Sequence, residues 1–490
     1  MYDSDVIVIG AGVLGCFAAR ALTARNLRVC VLEAREDVCT GISRANSGII
    51  YTGYDTKPGT LKTRLCVKAN RDFPRLCAEL GVRLNRCGSL MVSFGQRADR
   101  VLRQKYDQGG ENGVSGLRLL TAEEAYEMEP YLAPGLTSAL YAPDTATVNP
   151  WELGIAAFEN ARANGAIFRF RQEVRNLART GQGYLAETDT DSYRAKVVVN
   201  CSGLSADKIR ELVYPPAYRI FPTAADYLVL DDTVSGFVRH VIFHEPEEKG
   251  KGLTLIPTVD GNLLIGPTDR RRNGEPDWAT AREGQERLIA LCEKVMPRLP
   301  LREIIRSFAA LRPNPFTVRE ENGVWEREKK SISNFTILEE DGLISLLGIN
   351  TPGLTCAAQL GEYVADRAAE RLGNPERNPH FSPVRSAPVS VCGMEERQRS
   401  GLVAQQKEYG EIVCRCREIS RGEIAEAIRR GAVTLDGVKR RTGAGMGRCQ
   451  GGRCMRSVLE ALAAAQGVPP CRINKDGHAS SVVTEEHGTL

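Results

Sequence analysis

Residues 5 to 15 run Asp5-Val6-Ile7-Val8-Ile9-Gly10-Ala11-Gly12-Val13-Leu14-Gly15, an apolar run that ends in a turn of three glycines. An Ala-rich segment to Arg25 follows, and then the apolar run Arg28 to Glu33. The order strand, turn, helix, strand is a βαβ opening. Gly10 permits the tight turn, Gly12 lets backbone N–H groups approach a pyrophosphate, and Gly15 lets the helix pack close on the strand. The helix N-terminus favours the phosphate charge. Glu33 ends the second strand 23 positions after Gly10 and has the type and place to accept from ribose hydroxyls. Gly10, Gly12, Gly15 and Glu33 are therefore expected to hold a dinucleotide.

NAD and FAD both satisfy that pattern. The rest of the chain separates them, because strand-like pieces near 195–205 and 341–356 return after long insertions instead of continuing the βαβ unit directly. Such returning segments suit a long, permanently held flavin, and FAD is the expected cofactor. The fold expected is α/β: a discontinuous Rossmann-like FAD-binding domain (1–87, 146–215 and 336–372) with an inserted, mostly antiparallel α+β substrate domain (88–145 and 216–335). Residues 373–410, with Pro375, Pro379, Pro383 and Pro388, read as a linker. A small helical domain is expected over 411–466, and the polar composition of the 467–490 tail predicts disorder.

At 490 residues, with 42% hydrophobic and 26% charged residues, the composition is that of a globular protein of several domains. The net charge of +4 implies no nucleic-acid partner. No run of about 18 apolar residues occurs, which excludes a spanning helix but not peripheral attachment. The acidic start, Met1 to Asp5, is unlike a secretory leader. A cytoplasmic location is expected, with attachment at the inner face of a membrane through a partner left open.

The core resembles the FAD-dependent glycerol-3-phosphate oxidase and dehydrogenase group of the D-amino-acid-oxidase-like superfamily. The resemblance is carried by Asn46 to Lys62, Gly250-Lys251-Gly252, Pro257 to Asn262, Gly266-Pro267-Thr268, Leu311-Arg312-Pro313 and Gly348 to Thr355. It implies hydride transfer from a secondary alcohol to flavin while a base takes the hydroxyl proton. It further implies that Lys251 and Arg312 face a small anionic substrate, Arg gripping phosphate or carboxylate in bidentate fashion and Lys acting as a point charge. Ser47, Gly48, Gly348, Gly353, Leu354 and Thr355 are expected at the cofactor, with Val174 and Gly203 from the 146–215 stretch. One position departs: the group has histidine where this chain has Tyr51. A phenol, with a reference pKa of about 10, is a poor base at neutral pH unless cations lower it. Tyr51 is accordingly an activated base, is replaced in that role by His244 or a water, or serves a substrate such as an amine or amino acid that needs no alcohol deprotonation. The fourth reading makes it an aromatic wall.

Fifteen cysteines are many for a chain expected in a reducing compartment. Eleven are scattered; Cys39 lies in a neighbourhood where covalent attachment to flavin is conceivable. The other four form Cys414-x-Cys416, 32 intervening residues, and Cys449-x4-Cys454. Four thiolates satisfy one [2Fe-2S] cluster, two per iron. They also suit structural zinc, although C-x-C is an unusual spacing there. Residues 411–458 hold eleven Lys plus Arg against five Asp plus Glu, an excess that would offset cluster charge. The segment resembles the bacterioferritin-associated ferredoxin-like domain, also found at the end of anaerobic glycerol-3-phosphate dehydrogenase large subunits. A flavin joined to such a cluster implies a dehydrogenase that passes electrons to a redox partner protein, a partner subunit or a quinone-linked acceptor. The reading from another class is an iron–sulfur redox sensor whose flavin domain is catalytically idle.

Overall fold

In the computed structural model, which describes residues 2–244, 252–271, 278–321 and 324–484, the strand Tyr2–Ile9 lies inside a parallel sheet. Its neighbours are Val29–Glu33 and Ser192–Asn200, in register at Ile9 with Leu32 and Asn200. Ile167–Phe170 and Leu343–Leu347 continue the sheet outward in parallel. The hairpin Asn176–Thr180 and Gly183–Glu187 adds antiparallel strands. Val6, Ile7 and Val8 are fully buried, as the continuous apolar run requires of a parallel strand covered on both faces. Strands adjacent in space thus come from stretches far apart in the sequence, which makes this domain discontinuous.

The helix Val13–Thr23 packs between Pro150–Ala163 and Ala357–Arg371. Small residues permit the approach: a Cβ on Gly361 would lie 2.6 Å from the Phe17 carbonyl oxygen. Asn149 caps Pro150–Ala163, its side-chain oxygen accepting from the backbone N–H of Trp151 and Glu152, with Pro150 at the first helical position.

A nine-stranded second sheet is built from two insertions, 89–142 and 223–312. Its ladders are antiparallel except where Val241–His244 runs parallel to Ser89–Ser93. Arg282–Val295 buries Leu288, Leu291 and Cys292 against it.

The chain divides into two compact units, residues 1–34 with 38–384 and residues 35–37 with 385–490. In the second, a short hairpin (Ile412–Cys414, Ile419–Ser420) leads into the helices Arg421–Arg429, Leu435–Thr442 and Met455–Gln466. Ser420 and Glu423 form a reciprocal capping box. Ile424, Val438, Leu459 and Leu462 make the core.

The stretch 373–410, read as a linker, contains the helix Glu396–Gln405. One expectation about order is corrected. The tail does not lack structure over 467–484. Ile473 is buried in the core, the Asn474 and Lys475 carbonyls accept from the Leu435 and Asp436 N–H groups, and Asn474 bridges to Ser481. These bonds satisfy helix-terminal donors that polar composition alone does not reveal.

Candidate active site and cysteine centre

Three parallel strands present glycine turns at their carboxyl ends: Gly10 after Tyr2–Ile9, Gly203 after Ser192–Asn200 and Gly348 after Leu343–Leu347. That edge is where α/β sheets bind ligands. Gly10 has φ +96°, and a Cβ there would stand 2.7 Å from the Cys201 carbonyl oxygen. On Gly15 it would lie only 1.9 Å from the Gly10 carbonyl oxygen. Gly12 caps the helix Val13–Thr23 with no side chain of its own, leaving room for an anion.

Glu33 Oε2 accepts from the Ala11 N–H at 2.7 Å, so this carboxylate also fixes the turn it was expected to serve. Ser43, to which no sequence motif points, accepts from the Val13 N–H at 3.1 Å. Val174 is buried among Ile9 and Leu32 behind that edge. Turns that exclude a methyl group at Gly10 and Gly15, beside a helix N-terminus capped by a glycine, fit the pyrophosphate of FAD.

Gly48, at φ +73°, lies against the Val148 carbonyl and accepts from the Val148 N–H at 2.9 Å, with Ser47 half-buried beside it. Gly353 closes a turn by donating to the Asn350 carbonyl at 2.7 Å, and Leu354 is buried. Thr355 Oγ1 accepts from the Tyr51 N–H at 3.1 Å. The buried Lys62, unremarkable in the sequence, donates to Asn350 Oδ1 at 3.1 Å and the Thr351 carbonyl at 3.2 Å. Burial pulls its pKa below the usual lysine value.

Tyr51 and Arg312 come together. The Tyr51 ring stacks on Phe243, centroids 6.1 Å apart. Arg312 sits on the strand Ile304–Arg312 with Asp269 Oδ1 at 3.4 Å from its Nη1, and its charge beside the Tyr227 hydroxyl opposes the upward push of burial on that group. Tyr227 in turn stacks on Phe308 at 4.9 Å. Burial, followed by Tyr227 and Asp55, pushes the Tyr51 hydroxyl upward, and Arg312 opposes this only in part. The direction is opposite to that of an activated base.

His244 does not take over the role, since strand alternation sends Phe243 to Tyr51 and His244 to the other side, 6.0 Å from Phe94. Cys39 is buried beside the glycine turn, donating its N–H to the Ala11 carbonyl at 2.9 Å. Lys251 lies outside the described residues. Tyr227 and Asp269 are hidden in the sequence because an aromatic in an alternating strand and an acid after a Gly-Pro turn carry no distinguishing spacing.

In the second unit the four cysteines form two contacting pairs, each with one member from either motif. The sulfurs of Cys416 and Cys449 are 3.6 Å apart, and the Cys414 and Cys454 thiols neighbour each other in the apolar core of the unit. Two sulfurs about 2.3 Å from one tetrahedral metal stand roughly 3.75 Å apart, so the Cys416–Cys449 pair suits one metal ion. Among the described residues no three Cys, His, Asp or Glu side chains converge on one ion. The donor set fits a binuclear cluster better than a single caged zinc. The Cys454 thiol and the N–H groups of Gly445, Arg417 and Cys416 hold Cys414 down to about 6, and Cys414 together with burial pushes Cys454 up.

This fold and these sites define a flavin-dependent oxidoreductase. The chain belongs to the FAD dependent oxidoreductase family, whose model matches residues 5–367, and residues 412–464 match the BFD-like [2Fe-2S] binding domain. It is 40% identical over 482 residues to a glycerol 3-phosphate dehydrogenase of Caloramator mitchellensis, covering 98% of each chain. It is 25% identical to one of the subunits of the anaerobic glycerol-3-phosphate dehydrogenase of Escherichia coli K12, covering 92% of this chain and 86% of that one. Among solved structures, the L-alpha-glycerophosphate oxidase of Mycoplasma pneumoniae with FAD bound superposes with a TM-score of 0.71, covering 80% of this chain and all of the other. At 24% identity that likeness shows the fold. No helix among the described residues is long and apolar enough to cross a membrane.

Proposed function

We propose that the protein oxidises glycerol 3-phosphate to dihydroxyacetone phosphate and delivers the electrons one at a time to a redox partner. The observation that carries the reading is Arg312, held between Asp269 and the Tyr227 hydroxyl at the substrate end, in a chain similar over its whole length to a glycerol 3-phosphate dehydrogenase. Bound FAD supplies the acceptor for a hydride from the substrate's secondary carbon, and the cluster supplies one-electron transfer.

The chain's own residues bind and orient. Arg312 grips the phosphate, its guanidinium aimed by Asp269 and Tyr227. Lys251 adds a point charge. Tyr51, protonated because burial raises its pKa, donates from Oη to the substrate oxygen beside Phe243, and the substrate's own hydroxyl proton leaves to a water as the hydride departs. Tyr51 therefore acts as wall and donor. Gly10, Gly12, Gly15, Glu33, Ser47, Gly48, Val174, Gly203, Gly348, Gly353, Leu354 and Thr355 hold the dinucleotide, and Cys414, Cys416, Cys449 and Cys454 hold the cluster.

The test is anaerobic mixing of the holoprotein with glycerol 3-phosphate, L-2-hydroxy acids and amino acids, with flavin bleaching as the readout. Rapid bleaching by glycerol 3-phosphate alone supports the reading. Bleaching by another class reassigns the substrate, and none by any makes the flavin domain idle. Hydrogen peroxide formed in air at the full catalytic rate would make the protein an oxidase.

A further inference from the structure

The two sulfur pairs differ in their surroundings. Cys414 and Cys454 are each 2% exposed and belong to the apolar core of the unit, against Ile419 and Val458. Cys416 is exposed and Cys449 half-exposed, and their sulfurs touch. Of two irons held by these pairs, one is therefore inner and the other outer. The 3.6 Å contact joins the outer pair into one patch.

Charge is concentrated at the same place. Arg415 and Arg417 flank Cys416, Arg448 precedes Cys449, and Arg453 meets it through its N–H; Arg415, Arg448 and Arg453 are exposed. Elsewhere in the segment six of the seven cations pair with acids, Arg421 with Glu411, Arg430 with Glu426, Lys439 with Asp436, Arg440 and Arg441 with Asp37, and Arg456 with Glu460, and the seventh is the exposed Arg429. Glu418 is the one acid within three positions of Cys416 or Cys449 in the sequence.

We infer that the Cys416–Cys449 edge, ringed by Arg415, Arg448 and Arg453, is the port through which electrons leave, and that it docks a one-electron acceptor protein with carboxylates around its redox centre. The inference rests on the electron-delivery reading above and adds the exit atom pair and the partner's charge. The step is balanced by one electron leaving the reduced iron pair and reducing the acceptor's metal by one, with no bond made or broken. Exposure shortens the transfer distance at the outer sulfurs. Like charge at the collar repels basic carriers, whereas opposite charge speeds encounter by about tenfold to a thousandfold at low salt.

The test uses the full-length holoprotein reduced with dithionite, so that substrate chemistry is bypassed. Iron content and the EPR signal of the reduced cluster are read first. Reoxidation is then followed with two probe acceptors, the acidic copper protein plastocyanin and the lysine-rich haem protein cytochrome c, at low and high salt. Wild type is expected to reduce plastocyanin the faster, with a rate falling steeply as salt rises. Arg415→Glu with Arg453→Glu should slow plastocyanin roughly tenfold or more and speed cytochrome c.

Equal effects on both acceptors would mean a shifted potential instead of docking and would overturn the inference. So would a wild-type rate for plastocyanin that is indifferent to salt. If the charge reversals lose iron, the wild-type salt series and the milder Arg415→Gln with Arg453→Gln pair decide it. Slower filling of the cluster from substrate-reduced flavin, with reoxidation unchanged, would make this edge the entry and refute the port. Absence of the EPR signal from wild type would instead sink the underlying reading.

Discussion

Thr355 Oγ1 accepts a hydrogen bond from the Tyr51 backbone N–H and lies 3.4 Å from the Ile49 carbonyl, tying the loop 348–355 to the strand that carries the candidate site. Thr355 is 1% exposed. Replacing it by Val keeps the shape and strands the Tyr51 N–H, which costs about 1–3 kcal/mol. Thermal unfolding followed by flavin fluorescence should show Thr355→Val losing FAD at lower temperature and Thr355→Ser close to wild type.

Gly15→Ala should abolish flavin binding. The added methyl meets the Gly10 carbonyl oxygen at 1.9 Å, and neither backbone can retreat without opening the turn. Gly12 has only the Ser43 hydroxyl nearby, 3.3 Å from where an alanine methyl would stand, so Gly12→Ala should be the milder change. The ratio of flavin to protein absorbance in the purified variants measures the difference.

Arg312→Met should raise KM for glycerol 3-phosphate and lower kcat/KM by roughly tenfold to a hundredfold, the effect of about 1.5–3 kcal/mol for a charge-assisted contact. Arg312→Lys should recover part of the loss, because charge returns without the planar fork. The preference for glycerol 3-phosphate over glycerol should shrink in both. An unchanged preference would remove Arg312 from phosphate binding.

The raised pKa of Tyr51 has a sign that kinetics can read. A phenol pushed upward by burial stays protonated between about pH 6 and pH 10, since its ordinary value is already near 10. Tyr51→Phe should therefore lower kcat/KM by a constant factor over that range and leave the shape of the pH profile unaltered. Loss of a limb from the profile would assign that titration to Tyr51 and restore it as a base.

Much of this fold is legible from residue order. Gly10 to Gly15 and Glu33 identify the dinucleotide turn because a phosphate cradle needs glycines at fixed spacing, and those constraints are local. The inserted sheet is visible as strand-rich segments, but its register is not. That Arg312 pairs with Thr223, and Tyr227 with Phe308, is a register set by tertiary packing. The tail defeats composition for a related reason: Ile473 is a single apolar residue among polar ones, and its burial depends on a helix that the local composition does not show. The four clustered cysteines are plain in the sequence. That they pair across the two motifs, Cys414 with Cys454 and Cys416 with Cys449, follows from the fold of the intervening helices.

That cross-pairing separates the roles of the ligands. Cys416→Ala removes an exposed sulfur, so iron should be lost while the unit stays folded. Cys454→Ala removes a sulfur from the apolar core, where truncation leaves a void, and so should lower stability as well as iron content. In both variants the flavin half-reaction should persist, because bleaching by substrate needs only the first unit, whereas turnover with a one-electron acceptor should fall by about tenfold or more once the relay is broken. Iron analysis, thermal unfolding and the two rates, measured on the same preparations, check the expectation. Full turnover in an iron-free variant would show that electrons leave directly from the flavin.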